Sequence, residues 1–494
     1  MIYNYLILIV YLGILFLLGI IASRRIKNIE DYYVGGKNLN YWVVAFSSRA
    51  TGESAWLLLG LTGMGAISGL SVYWVVVGEV LGVGIAWFFM AKRFKRKTDE
   101  YKSITIPDYL ESHFKSKTHT LRKVAAIALS SFIVIYVSSQ IDATGSAFES
   151  FLDINYYWGA LIGFLIVLAY IFLGGFVAVA WSDVFQGTLM FLGLVAIPIV
   201  AYFTISNSGE ILTTLGEIDP KLLNIWGTSD DVWMNIATLG GFAFIGLGFL
   251  GSPQVFVRFM SISSEKEINK GRWVAVIFTL LTDAAAVTIG ILGRYIFTKT
   301  GADPEVVMGN AAQNVLPMMV DHLFPAVLIG LYVAIVLSAI MSTIDSLLVV
   351  GSSALSRDLY QKVYHPDIES KKITRYSRMI TVIMAVLALI LALIVAVSTP
   401  ERTIFWFAIF GWSGIAATFC PVIILSLFWK GYTERGAIAS MISGFLSVPI
   451  FKFVIVKIPG FGEYIEKLDV MAPAFVVAFI FGILFSLSAQ QKDL

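Results

Sequence analysis

Stretches of 18 or more nearly uncharged, apolar residues follow one another from end to end of this 494-residue chain. In hydrocarbon every backbone N–H and C=O must be satisfied within the protein, so such a chain can only be a helical bundle or a closed barrel. A barrel needs short segments that alternate apolar and polar residues, and these are absent. The composition agrees: 58% of residues are apolar, 14% are charged, and the mean hydropathy is +0.82. The chain therefore reads as an all-α polytopic membrane protein. About thirteen transmembrane helices are expected, at roughly 5–23, 41–69, 72–92, 122–147, 157–174, 178–206, 232–256, 273–298, 322–355, 374–398, 403–429, 437–456 and 471–488. The first is too long for a signal-peptide core and has no basic region before it.

Basic residues fall in alternate loops. Arg24, Arg25, Lys27 and Lys37 occupy loop 24–40; Lys92, Arg93, Lys95, Arg96 and Lys97 cluster in 92–121; Arg258, Lys266, Lys270 and Arg272 lie in 257–272; Arg357, Lys362, Lys371 and Lys372 lie in 356–373. These loops are expected inside, which puts the N-terminus outside and the C-terminus inside. The loop at 207–231 is expected to form a small external helix, and the long segment 322–355 to tilt or run on into the cytoplasm. The one cysteine, Cys420, forbids an internal disulfide. His113, His119, His322 and His365 sit in or beside polar loops, unpaired with one another or with Cys420, which argues against haem, copper and zinc.

Two spans are interrupted. Within 41–69 the run Ser47-Ser48-Arg49-Ala50-Thr51-Gly52-Glu53-Ser54 is polar, and Gly60, Gly63 and Gly65 follow. Within 232–256 stand Gly240, Gly241, Gly246, Gly248 and Gly251-Ser252-Pro253. Broken helices five spans apart point to an inverted-repeat carrier whose unwound backbone meets a cation and a solute. The same glycines also suit close helix packing, and Arg49 and Glu53, four residues apart, can simply pair with each other. The repeats would be 41–206 and 232–429, separated by loop 207–231, preceded by 1–40 with the first helix and followed by 430–494 with two helices and a short tail.

Other polar residues cluster at membrane depth. Ser338, Ser342, Asp345 and Ser346 share one helix face with Thr343 beside it, a set of hard oxygens suited to Na⁺. Asp183 is either a helix-start carboxylate or a partner of that face. Tyr136, Ser139 and Gln140 share a face that can line a solute cavity, with Asp142 nearer the outer interface. Glu79 and Asp283 are further intramembrane acids with no partner legible in the sequence. Trp56, Trp74, Phe242, Phe244 and Phe249 are candidates to gate or line a pocket, or plain packing residues.

These residues, in their order, give the chain a resemblance to the sodium/solute symporter family, and within it to the sodium/proline symporter branch. The resemblance is carried by Tyr32-Tyr33-Val34-Gly35-Gly36-Lys37, Ser54-Ala55-Trp56-Leu57-Leu58-Leu59-Gly60-Leu61, Ile106-Pro107-Asp108-Tyr109, Gly174-Gly175-Phe176 and Trp181-Ser182-Asp183. It continues through Gly246-Leu247-Gly248, Pro253, Arg258-Phe259-Met260, Met341-Ser342-Thr343, Ser352-Ser353-Ala354 and Asp358-Leu359-Tyr360. It implies a LeuT-type five-plus-five inverted repeat and Na⁺-driven solute uptake by alternating access. The implied sodium site uses carbonyls of Ala50, Glu53 and Ala339 with the side chains of Ser342 and Thr343. A second sodium, found in some branches, would use Asp183, Ser342, Asp345 and Ser346, although position 345 is a hydroxyl in that branch.

The implied solute site comprises Gly52, Ser54, Trp56, Tyr136, Gln140, Ile245 and Phe249. It departs from the proline pattern, which has an aspartate at Gly52, a tryptophan at Ile245 and a tyrosine at Phe249, and small or apolar residues at Arg49 and Glu53. The expected function is import of a small polar solute, proline or another amino acid, with one or two Na⁺ as co-substrate. Alternatives are a sodium symporter for a sugar, sialic acid or carboxylate, and a proton-coupled carrier using Asp183, Asp345 or Glu53. A membrane redox enzyme subunit is disfavoured, as is a signalling receptor, since no soluble domain follows Ala489. The expected partners are solute, Na⁺ and lipid, without nucleic acid, in a monomer or weak oligomer. The expected location is a bacterial inner membrane.

Overall fold

The computed structural model describes residues 2–26, 28–171, 175–205 and 208–490. Lys27, Gly174 and the expected span ends at 174 and 206 lie outside the described residues. The long helices are α1 (Ile2–Ser23), α2 (Tyr41–Gly52), α3 (Tyr73–Ile85), α4 (Thr120–Leu152), α5 (Tyr156–Ile171), α6 (Phe176–Thr204) and α7 (Val232–Phe244). They continue with α8 (Pro253–Ser261), α9 (Glu265–Phe297), α10 (Ala326–Ser353), α11 (Ser370–Ser398), α12 (Ile404–Phe428), α13 (Glu434–Phe453) and α14 (Met471–Gln490). Among the described residues there is no β-strand, only one isolated bridge between Leu39 and Ile262.

By length and hydropathy eleven helices, not thirteen, are able to cross a membrane among the described residues. The difference has two sources. The second expected span breaks after Gly52, and its remainder runs with the third as one helical stretch, Trp56–Glu100. The fifth is described only as far as Ile171, and its described part is shorter than the length counted as a crossing. The ninth begins at Ala326 and runs on without a break to Tyr364. Loop 207–231 holds a short helix, Ile211–Ile218.

Both interruptions form where the sequence breaks its pattern. The Asn40 side chain starts α2 by accepting from Val43 N at 2.9 Å. α2 stops at Gly52, and the chain resumes as a wide, π-helical turn over Trp56–Leu61. α7 passes into a tight 3₁₀ stretch, Ile245–Leu250, before Pro253 opens α8 in its first turn. The bridge ties the two segments at one end: Leu39 N donates to Ser261 O at 3.0 Å and Ser263 N to Leu39 O at 2.8 Å.

The four basic loops meet at one end of the molecule. Lys37 and Lys95 both reach Asp99, at 3.1 and 3.0 Å, and Lys95 also donates to Met260 O at 3.1 Å. Arg96 pairs with Glu265 at 3.0 Å and Arg357 with Asp108 at 3.1 Å. Arg258, counted above with loop 257–272, is not among them: it is fully buried in α8.

Glycine sets how closely the second interruption approaches its neighbour. A Cβ on Gly246 would lie 1.9 Å from Gly78 O, and one on Gly82 2.0 Å from Gly246 O. Backbone meets backbone here, so nothing can give way. Gly246→Ala is expected to lower stability by about 3 kcal/mol or more, read as a drop in Tm of the detergent-solubilised protein. Gly84→Ala, on the same helix as Gly82 with nothing within 4 Å of its Cβ position, is the control expected to change little.

Candidate functional site

α10 presents its hydroxyls to the broken end of α2. The last carbonyls of a helix have no intrahelical donor, and two of these four-turn-end groups find partners on α10, some 290 residues away. Ser342 Oγ lies 3.0 Å from Ala50 O and 3.1 Å from Ala339 O. Thr343 Oγ1 lies 3.1 Å from both Thr51 O and Ala339 O. Five buried oxygens thus come together, all hard donors. The second α2 carbonyl in this set is that of Thr51, not that of Glu53. The helix persists to Gly52, which keeps carbonyls 50 and 51 directed at α10, while the Glu53 side chain is drawn away to Arg49.

The expected second cation set is assembled differently. Arg258 stands among its members: Nη2 lies 2.9 Å from Asp183 Oδ2, 2.5 Å from Ser346 Oγ and 2.6 Å from Thr51 Oγ1, while Nε donates to Ser47 Oγ at 2.9 Å. Ser47 in turn donates to Asp183 Oδ2 at 2.6 Å. Asp183 is therefore a partner of the α10 face, but through a guanidinium. Asp345 Oδ1 accepts from Ser346 N at 3.0 Å, and its Oδ2 is buried without a partner. Tyr11 on α1 completes this wall, its hydroxyl 3.1 Å from both Ser338 Oγ and Gln186 Nε2. Sequence reasoning missed Arg258 and Tyr11. The available signal was a lone arginine inside the apolar run Val255–Met260.

The expected solute residues do converge. Ser54 Oγ and Tyr136 Oη are 3.2 Å apart, Ala55 N donates to Gln140 Oε1 at 3.1 Å, and Trp56 Nε1 to Gly52 O at 3.1 Å. Phe249 packs on Gly52, where an added Cβ would lie 2.8 Å from its Cε1. Trp412, which no sequence pattern marked, closes the group: its ring packs tilted against Phe249 at 5.0 Å, lies 6.3 Å from Tyr136 and donates to Ile245 O at 3.1 Å. Trp74 and Phe244 stand apart. Trp74 donates to Ile225 O, and Phe244 is 42% exposed.

The intramembrane acids acquire partners. Arg49 Nη2 lies 2.8 Å from Glu53 Oε1 and 3.3 Å from Glu79 Oε2, and Thr282 Oγ1 donates to Glu53 Oε1 at 3.0 Å. Asp283, also fully buried, lies beside them, its Oδ1 3.4 Å from the same Thr282 Oγ1. Asp142 accepts from Tyr156 Oη at 2.6 Å and from Arg402 Nε at 2.9 Å, at the edge of a polar cavity of about 650 Å³ that also meets Leu59, Asn310 and Gln313.

Two helices broken beside each other, packed on a third whose hydroxyls face the broken backbone, define a membrane carrier with its binding groups on interrupted helices. The sodium:solute symporter family model matches residues 32–444, so the chain belongs to that family. It is 36% identical to the high-affinity proline transporter PutP of Bacillus subtilis strain 168, over 90% of this chain and 92% of that one. It is 32% identical to the sodium/proline symporter of Escherichia coli K12, over 90% of this chain and 86% of that one. The solved outward-open structure of a Na⁺-coupled sialic acid symporter superposes with a TM-score of 0.76 at 19% identity, covering 98% of both chains. That likeness establishes the all-helical, LeuT-type fold. The chain is an integral membrane transporter that uses Na⁺, not an enzyme.

Proposed function

We propose that the chain imports proline, or a closely similar amino acid, together with one Na⁺ by alternating access. The observation that carries this is the contact of Ser342 and Thr343 with the α2 carbonyls, which joins the first interruption to α10. Na⁺ is held by the carbonyls of Ala50, Thr51 and Ala339 and by Ser342 and Thr343, with the Glu53 carbonyl next along the break. The cation fastens α2 to α10, and that geometry is the one the solute needs, so the two ligands share a coupling free energy. The Arg258 guanidinium takes the place of a second cation between Asp183 and Ser346, which supports one Na⁺ per cycle. Proline is supported by the names of the relatives above, and the solute contacts Gly52, Ser54, Trp56, Tyr136, Gln140, Ile245 and Phe249. The gathering of basic loops at one end supports a cytoplasmic face there, an outside N-terminus and an inside C-terminus, in a bacterial inner membrane.

Radiolabelled proline uptake into proteoliposomes tests this. Uptake is expected with an inward Na⁺ gradient and not with K⁺, and other amino acids of similar size should compete. Uptake driven by a pH gradient without Na⁺ would overturn the sodium assignment. Na⁺-driven uptake of a sugar or simple carboxylate, with no amino acid moved, would overturn the solute.

A further inference from the structure

The cluster around Arg49 carries more charge than a self-neutralising pair requires. Glu53 alone balances Arg49, yet Glu79 and Asp283 are buried beside them. The cluster also leaves polar atoms of both kinds without partners: the donor Arg49 Nη1, and the acceptors Glu53 Oε2, Glu79 Oε1 and Asp283 Oδ2. Buried groups of this kind are costly unless something completes them. A proton would relieve an acid but leave Nη1 unpaired. A metal ion is disfavoured by geometry, since among the described residues no three acids lie close enough to hold one. A molecule bearing both a carboxylate and an amine completes both kinds of atom at once.

The two ends of the cluster border the solute residues. Arg49 lies under Phe249, 4.6 Å from the ring centroid, and its Nη1 is 3.6 Å from the position a Gly52 side chain would take. Glu79 stands where the second interruption packs on α3: a Cβ on Gly246, next to Ile245, would lie 3.0 Å from Glu79 N. Glu53 grips Arg49 through Nε and Nη2, which fixes the guanidinium and leaves Nη1 as the free donor.

We infer that Arg49 and Glu79 recognise the two charged ends of a zwitterionic amino acid, Arg49 Nη1 taking the carboxylate and Glu79 Oε1 the amine. The inference rests on the amino-acid reading above. Phe249 covers Arg49, and the buried Asp283 keeps the local charge favourable to the amine. A bare glycine at 52 is required, because any side chain there meets Phe249 before the solute reaches Arg49.

The test is competition against Na⁺-dependent amino-acid uptake in proteoliposomes by proline, by prolinamide, which lacks the carboxylate, and by tetrahydrofuran-2-carboxylate, which lacks the amine. Arg49 and Glu53 are replaced together, R49Q/E53Q, so that Glu53 is not left without its guanidinium; E79Q is the second variant. R49Q/E53Q is expected to lose about ten-fold or more in proline affinity while prolinamide binds as before. E79Q is expected to lose its preference for proline over tetrahydrofuran-2-carboxylate. If both variants weaken proline and its analogues in equal proportion, or neither changes the preferences, the cluster is only structural and the inference falls. Should R49Q/E53Q not fold, E79Q decides alone. If the unaltered protein moves only solutes that are not zwitterions, it is the amino-acid reading itself that has failed.

Discussion

Arg258→Gln is expected to be the most damaging single substitution in the chain. It strands Asp183, fully buried and held by Arg258 Nη2 at 2.9 Å, and breaking one partner from a buried pair costs about 3–5 kcal/mol. It also removes the group that ties Ser47 and Thr51 on α2 to Ser346 on α10. Thermal unfolding in detergent should show a large fall in Tm and proteoliposomes should show little uptake. The double variant D183N/R258Q should recover much of the Tm, because no charge is then stranded, but not the uptake. Na⁺ should raise the Tm of R258Q more than that of the unaltered protein, since Asp183 and Ser346 are then free to accept a cation. Equal shifts in Na⁺ and K⁺ would remove the argument that Arg258 stands in for a second sodium.

The second large effect is on Na⁺ activation. Ser342→Ala and Thr343→Ala each delete one hydroxyl from the five-oxygen cluster. Losing a hydrogen-bonding partner at a buried polar site costs about 1–3 kcal/mol. At 1.4 kcal/mol per factor of ten, the Na⁺ concentration for half-maximal uptake should rise about 5- to 100-fold in each single variant. The two changes share Ala339 O as a neighbour, so their effects should not simply add. Proline affinity at a fixed low Na⁺ concentration should fall as well, and saturating Na⁺ should restore it, because the coupling between the two ligands is reciprocal. A double variant with unaltered Na⁺ dependence would show that the cation binds elsewhere.

Much of this was legible in the chain. The all-helical membrane fold followed from apolar length alone, and both interruptions followed from glycine and polar residues placed where a span should be uniform. The hydroxyl face of α10 was visible as a periodicity, and five of the seven expected solute residues touch another of the set, while Gln140 reaches Ala55 and Ile245 is joined through Trp412. The misses share one cause. Arg258 looked like one more basic residue beside a cytoplasmic loop, because its charge says nothing about depth. Trp412 and Tyr11 carry no local feature that sets them apart from other aromatics in apolar spans. The count of thirteen spans is not reproduced among the described residues, chiefly because the second span breaks after Gly52 and its remainder runs on with the third.

That the chain crosses a membrane, where its helices break, and which residue types stand at the breaks all follow from the order of its residues. These are local properties, governed by the solvation of side chains and backbone within a single helix. Only the packed fold shows that Thr51, not Glu53, meets Thr343, that Arg258 lies between Asp183 and Ser346, and that Arg49 pairs with both Glu53 and Glu79. Those meetings join residues as much as 292 positions apart. They are fixed by how helices pack and cross, and helix periodicity, which records only which face a residue occupies, does not carry that information.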